Sequence, residues 1–381
     1  MTGSKRTLLL FTLTRMDDML QKGNVWYLRH YESHFDRIYV AYLLGTRLPP
    51  RRKGKTILIS LGCIGKFLNL LVAPIRLLNL SKKVMPTHYL TADIFFSWWT
   101  GFLIRSKLEA RIVLMPVCVP PEMYLNTGRN IIGLPRKLEE LLMYLSFSAA
   151  RRVIMGKNSE ASLKWLRAEP AAVRKLKIVE LTAEELPPKE IYEGLQGFNR
   201  NLSVLNKPAR LLYVGRLHTE KLPMGLVDLV ANLRKMGILA NLVIAGDGAL
   251  KTTMRARARE LGVDKQIDFM GFVDVETLVN LYRNVDVFIS TVTGTSLREA
   301  GLFGLPVVAY RVDWVKDLIV DGKNGLLAES GDSKGLAEQV AKLLDNMDLR
   351  VRIAREFKET ADQRWTCSHL SSALEASFAD L

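Results

Sequence analysis

The stretch VDVFISTVTGTSLREAGLFGLPVVAYRVDWVKDLIVDGKNGLL, residues 285–327, decides how the chain is read. Residues 285–290 have the length and composition of a buried strand. A turn at Gly294 follows, then helical spacing over 295–303 and a second strand over 305–310. In parallel α/β sheets ligands lie beyond the carboxyl ends of the strands, where the first amides of the next helix point outward. Such a helix start attracts anions. The amides of Thr295, Ser296 and Leu297 are therefore candidates for phosphate contact, with Gly294 allowing close approach and Thr295 or Ser296 able to cap the helix. Glu299 stands one turn further in, where a carboxylate suits paired sugar hydroxyls better than phosphate because it accepts from both. Taken alone, the same pattern also fits any βαβ unit whose helix carries a solvated Glu.

A second element narrows the choice. Residues 211–214 form an apolar strand that runs into GRLHTEK, 215–221, and helical spacing returns over 224–233 within a helix read as 221–236. Arg216 and Lys221, five residues apart in one strand-to-helix loop, make a clamp suited to a diphosphate, the guanidinium as a planar fork and the ammonium as a point charge. Together with the helix start at Gly294 and with Glu299, they describe a nucleotide-sugar site.

With these residues in place the chain resembles the GT-B-fold retaining glycosyltransferases of family 4. The carriers are GRLHTEK at 215–221, VIAGDG at 243–248, FMGFV at 269–273, STVTGTSLREAGLFGLPVVA at 290–309 and DGKNGLL at 321–327. The resemblance is specific over about residues 209–345 and looser before them. It implies an α/β protein of two Rossmann-like parallel-sheet domains facing a cleft, with residues 1–185 on the acceptor side and 208–360 binding the nucleotide sugar. Residues 361–381 would then form a terminal helix, around Trp365, that returns to brace the first domain. Residues 186–207 lose apolar periodicity and hold Pro187, Pro188 and Gly197, so they read as the linker.

The resemblance also assigns roles. Arg216 and Lys221, behind Gly215, would hold the donor diphosphate, and Glu299 the ribose. The amides of Gly294 to Leu297 would meet phosphate or sugar, and the backbone of Gly271 to Val273, Phe272 included, would lie near the base. Retaining transfer of a hexose would need neither metal nor cofactor, because the clamp neutralises the diphosphate and the leaving group can take the acceptor proton. Two departures stand out. Members of the family usually carry two glutamates eight positions apart, yet Thr291 stands eight before Glu299; its hydroxyl could give the donor sugar one hydrogen bond but no charge. After the strand read at 111–117 a histidine is common, whereas here no histidine occurs between Arg111 and Tyr124, so no base is assigned to the first half.

At 381 residues the chain is long enough for two domains. Cys63, Cys118 and Cys367 are far apart and odd in number, which suggests neither a disulfide framework nor a metal site. The apolar run 7–13 is too short for a signal peptide, lacks a small-residue cleavage pattern, and reads as a first core strand. Charge is unevenly placed: residues 1–200 hold 31 Lys and Arg against 16 Asp and Glu, and residues 201–381 hold 23 of each, so the first half carries the whole excess of +15. That asymmetry points to an anionic surface facing the first half. No zinc, helix-turn-helix or RNA-recognition signature accompanies it, so nucleic acid is not an expected partner.

Residues 66–80, KFLNLLVAPIRLLNL, are apolar on most faces with basic flanks, and two readings stand: a helix lying in a membrane interface, or a buried helix kinked at Pro74. His88 is read as structural, although the resembling enzymes often carry a histidine nearby. The expectation is a peripheral enzyme at the cytoplasmic face of the cell membrane, moving sugar to a cell-envelope glycolipid or saccharide. The alternative, motivated by Thr291 and the missing histidine, is a catalytically degraded GT-B protein acting as scaffold or regulator.

Overall fold

Apolar runs become strands in both halves of the computed structural model, which describes residues 5–12, 28–42, 49–61, 66–91, 111–114, 135–156, 164, 167–168, 170–179, 187–292, 294–312, 315–366, 372 and 378. The chain divides into two units, Met1–Glu184 with Ser368–Leu381, and Glu185–Cys367.

In the first unit the strands are β1 (Thr7–Thr12), β2 (Arg37–Tyr42), β3 (Arg51–Lys53), β4 (Thr56–Ser60), β5 (His88–Thr91), β6 (Arg111–Leu114), β7 (Arg152–Gly156) and β8 (Leu176–Val179). They form one sheet in the order β3-β4-β2-β1-β5-β6-β7-β8. All described pairs are parallel except β3 with β4, a charged edge hairpin turned by Gly54 at φ 60°. The described helices are α1 (Leu28–Tyr31), α2 (Lys66–Val84), α3 (Arg136–Ala149) and α4 (Pro170–Val173). Helix α2 runs continuously through Pro74, and its second half is amphipathic: Leu77 and Ser81 are buried while Ile75, Asn79, Lys82 and Lys83 face solvent. That half is a packed helix with a wet face rather than one apolar on most sides. From the chain's end, Phe378 packs edge-on against Tyr31, Phe35 and His88.

The second unit carries β9 (Ala209–Val214), β10 (Ala240–Ala245), β11 (Ile267–Gly271), β12 (Val287–Ser290), β13 (Val307–Tyr310) and β14 (Leu326–Ala328), all parallel, in the order β11-β10-β9-β12-β13-β14. Around them lie α5 (Lys189–Glu193), α6 (Met224–Lys235), α7 (Lys251–Glu260), α8 (Val275–Asn284), α9 (Thr295–Leu302), α10 (Val315–Leu318), α11 (Ser333–Asp345) and α12 (Met347–Arg364). Leu211, Tyr213, Ile244 and Ile289 from the sheet, with Leu226, Val230 and Val340 from the helices, form its core. The strand order reverses between β9 and β12, and the loops leaving the carboxyl ends of those two strands are where a doubly wound sheet places a ligand.

The stretch 186–207 is fastened to this second unit by polar groups. Arg200 donates to the carbonyls of Phe303 (3.0 Å), Val285 (2.8 Å) and Tyr282. Burial lowers its pKa to about 10, against the attraction of Asp286. Asn206 donates from backbone and side chain to Asp286, and Arg283 reaches the Gly194 carbonyl. Such anchoring leaves no apolar period to read. Trp365 is fully buried within the second unit, edge-on to Phe357, and its carbonyl accepts from the Tyr192 hydroxyl at 2.6 Å; the chain joins the first unit only after it. No helix among the described residues is long and apolar enough to cross a membrane.

Candidate functional site

Three strand ends carry glycines where the backbone passes closely: Gly215 after β9, Gly246 after β10 and Gly271 closing β11. The Gly215 amide donates to the Ala245 carbonyl at 3.1 Å, Leu217 to Asp247 at 3.0 Å, and Leu250 back to Leu217 at 2.9 Å. This pairing leaves no space at Gly246: a Cβ there would lie 1.9 Å from the Gly215 oxygen, at a φ of 155° that side chains rarely adopt.

The loop after β9 presents Arg216 outward. Its side chain is 62% exposed and meets Glu220 at 3.4 Å. Lys221 is half-buried and closes a 3₁₀ turn, Thr219–Lys221. Leu222 then takes the left-handed region at φ 48°, and Pro223 precedes α6. The helix read as starting at 221 therefore starts at Met224, because the left-handed residue and the proline interrupt it. Both cations of the expected clamp thus lie on one loop at the switch point.

The loop after β12 is tied to that first loop by two hydroxyls. Ser296 Oγ donates to the Val214 carbonyl at 2.9 Å, and Thr291 Oγ1 donates to the Lys221 carbonyl at 2.6 Å. Ser296 is therefore committed to β9 and does not cap its own helix; Gly294 occupies the cap position with no side-chain bond. A Cβ on Gly294 would meet nothing within 4 Å. Of the three amides read as phosphate contacts, that of Leu297 donates to the Gly294 carbonyl at 3.2 Å, which leaves Thr295 and Ser296 heading the helix. Thr291 was expected to face the donor sugar. Instead it is fully buried, and its hydroxyl meets protein backbone.

Glu299 is 5% exposed, and its Oε2 accepts from the Tyr282 hydroxyl at 2.6 Å; that hydroxyl also lies 3.3 Å from the Ser296 carbonyl. Burial pushes Glu299 up to about 7, with the Tyr282 hydrogen bond and the Arg298 charge acting the other way. At neutral pH it is divided between its two forms. Burial, with Glu299 alongside, raises Tyr282 well above the ordinary phenol range. Tyr282 lies seventeen residues before Glu299 on α8, a separation that carries no periodic signal, so sequence reading missed it.

At the end of β11, Gly271 takes φ 74° and Phe272 is 61% exposed. Beside Gly271 sits an ion pair the sequence reading also passed over: Asp247 and Lys251, 2.8 Å apart. A Cβ on Gly271 would lie 3.4 Å from Lys251 Nζ. Hydrogen bonds from Lys251 and from the Gly248 amide hold the Asp247 carboxyl below its usual range. The motif at 243–248 had been singled out without roles; the i, i+4 spacing of opposite charges was the available signal.

His88 opens β5, at the amino end of a parallel strand, with Nδ1 2.9 Å from Thr87 Oγ1 and its ring edge-on to Phe35 and Phe378. It is packed as a structural residue. The segments 14–23 and 115–134, and Cys63, Cys118 and Cys367, lie outside the described residues, among which no group of three His, Cys, Asp or Glu could hold a metal ion.

Residues 198–360, which hold all of these second-unit groups, match the family described as glycosyl transferases group 1. The curated relatives of this stretch include a D-inositol 3-phosphate glycosyltransferase of Corynebacterium efficiens, 34% identical over 186 residues, which are 45% of this chain and 44% of the relative. They also include the lipopolysaccharide core biosynthesis glycosyltransferase LpsE of Rhizobium meliloti, 30% identical over 154 residues, 39% of this chain and 44% of that protein. The matched stretch thus spans less than half the length of these relatives. Solved structures match across both units: sucrose-phosphate synthase of Thermosynechococcus elongatus with a TM-score of 0.72 at 15% identity, covering 98% of each chain, and Anabaena HepE in complex with UDP and glucose with 0.71 at 16%, covering 99% and 100%. At those identities the likeness shows the fold, which is GT-B.

Proposed function

We propose that this chain is a retaining glycosyltransferase that takes a sugar from a nucleoside diphosphate and passes it to a cell-envelope glycolipid or saccharide. One observation carries the reading: Arg216, Lys221, the start of α9 and buried Glu299 gather at the β9/β12 switch point. Arg216 and Lys221 hold the diphosphate, the amides of Thr295 and Ser296 meet phosphate or sugar, and Glu299 accepts from the ribose. The base lies against Gly271 and Phe272. The leaving diphosphate, neutralised by the clamp, takes the acceptor proton, and no metal or cofactor is needed. UDP bound to HepE makes uracil the first base to try. The relative LpsE, with the basic first half, supports an envelope acceptor reached from the cytoplasmic face.

Calorimetric titration with UDP, GDP and ADP tests the site. Arg216→Ala and Lys221→Ala should each lose about 1.5–3 kcal/mol of affinity, the worth of a charge-assisted contact, while the fold persists. Unchanged affinity in both variants removes the assignment. The inward-turned Thr291 favours the second reading, a degraded transferase serving as scaffold; failure of the wild type to hydrolyse or transfer any of a panel of nucleotide sugars would decide for it.

A further inference from the structure

We infer that Thr291 is a positioning residue for the diphosphate clamp, holding Lys221 in place through its backbone instead of touching the donor. The inference rests on the proposal that Lys221 meets the diphosphate.

Thr291 follows the last residue of β12 and is fully buried. Its hydroxyl proton has an assigned destination, the Lys221 carbonyl at 2.6 Å. The Lys221 amide is committed as well, donating to His218 at 2.9 Å, and the next amide, of Leu222, closes the turn onto Thr219 at 3.1 Å. Lys221 is thus pinned on both sides of its Cα, immediately before a left-handed residue and a proline that stop the turn from growing into α6. A fixed backbone narrows where the ammonium can reach, and less freedom is then lost when an anion arrives.

The other arm is tied separately: the Tyr213 hydroxyl, on β9, donates to the Arg216 carbonyl at 3.4 Å.

The test titrates UDP, GDP and ADP into the full-length chain and its variants Thr291→Val, Thr291→Ser, Lys221→Ala and the Thr291→Val/Lys221→Ala double, with thermal melting to establish that each is folded. Thr291→Val keeps the shape but loses the donor and should weaken nucleotide binding about fivefold, the worth of one hydrogen bond, while Thr291→Ser stays near wild type. In the Lys221→Ala background Thr291→Val should add little. An equal loss in both backgrounds, or none in either, overturns the inference while leaving the clamp standing. If Lys221→Ala itself changes nothing, or no nucleotide binds the wild type, the clamp proposal falls and the inference with it. Should Thr291→Val not fold, Thr291→Ala against Thr291→Ser makes the same comparison.

Discussion

The two units share a strand order and differ in how they spend their charges. Leaving aside the β3 hairpin, each sheet runs through its first parallel strands in the same reversed sequence, β4-β2-β1-β5-β6-β7 in one and β11-β10-β9-β12-β13-β14 in the other. In the second unit several cations sit against carboxylates: Arg216 against Glu220, Lys251 against Asp247, Arg257 against Asp228 and Glu260, Arg311 against Asp321 and Glu329. In the first, Arg51, Arg52, Lys55, Lys82, Lys83, Arg174 and Lys177 face solvent in a half with twice as many cations as anions. On the proposed function the second unit holds a small anion at a site legible as motifs, and the first faces an extended anionic surface through charge legible only as a sum.

The largest effect that should separate the units comes from glycine. Gly246→Ala forces a Cβ to within 1.9 Å of the Gly215 oxygen and should cost about 3 kcal/mol or more in urea unfolding. Gly54→Ala in the β3–β4 hairpin meets only the flexible end of Glu32 at 3.1 Å and should cost about 1–2 kcal/mol, the ordinary penalty of a left-handed residue. Equal losses would mean that the strand ends of the second unit are no more tightly built than an edge turn.

A comparable effect comes from Glu299, with a sign opposite to that of most acidic residues. Its folded-state pKa of about 7 exceeds the ordinary carboxyl value of 4.5, so the unfolded chain ionises first. The stability of the protonated folded form is complete below pH 4.5 and is lost as pH rises to 7, in total about 3 kcal/mol. Glu299→Gln should therefore match wild type in acid and melt higher at pH 8, even as it weakens nucleotide binding. Because the ribose hydroxyls bond more strongly to an ionised acceptor, wild-type affinity for a UDP-sugar, whose diphosphate does not titrate in this range, should improve up to about tenfold from pH 6 to pH 8, and the Gln variant should show no such slope. A flat wild-type profile would detach Glu299 from the ligand.

Smallest per residue is the surface term. Co-sedimentation with vesicles of acidic lipid should fall as salt shortens the Debye length from about 10 Å to about 3 Å, and neutral vesicles should bind poorly. Arg51→Gln, Arg52→Gln and Lys55→Gln should each weaken attachment by about 1 kcal/mol, whereas Lys323→Gln and Lys334→Gln in the second unit should do little. Identical effects from the two sets would erase the charge distinction between the units.

How much of this was readable follows from what fixed each element. In the second unit the strands read at 211–214, 285–290 and 305–310 match β9, β12 and β13 closely, because continuous apolar runs have one sensible fate in a parallel sheet. Arg216 and Glu299 remain proposals, singled out because motif and chemistry point to the same residues. Hidden were features made by contacts across the sequence: Tyr282 on Glu299, Thr291 on Lys221, and Asp247 with Lys251 beside Gly271. In the first half β3 and β8 carry no such signal: they are the short edge strands of the sheet, RRK and LKIV, and an edge strand buries too little to leave an alternating pattern.

Arg200 bears on where this chain could be divided. Composition invites a cut after residue 207, just ahead of β9. A fragment starting there would leave the carbonyls of Tyr282, Val285 and Phe303 without the guanidinium that serves all three, and Asp286 without Asn206. Starting at residue 185 keeps those partners together. A domain exchanged between relatives at the later point would inherit the sheet without its fastening, so the transferable block is set by the reach of one arginine rather than by the first strand.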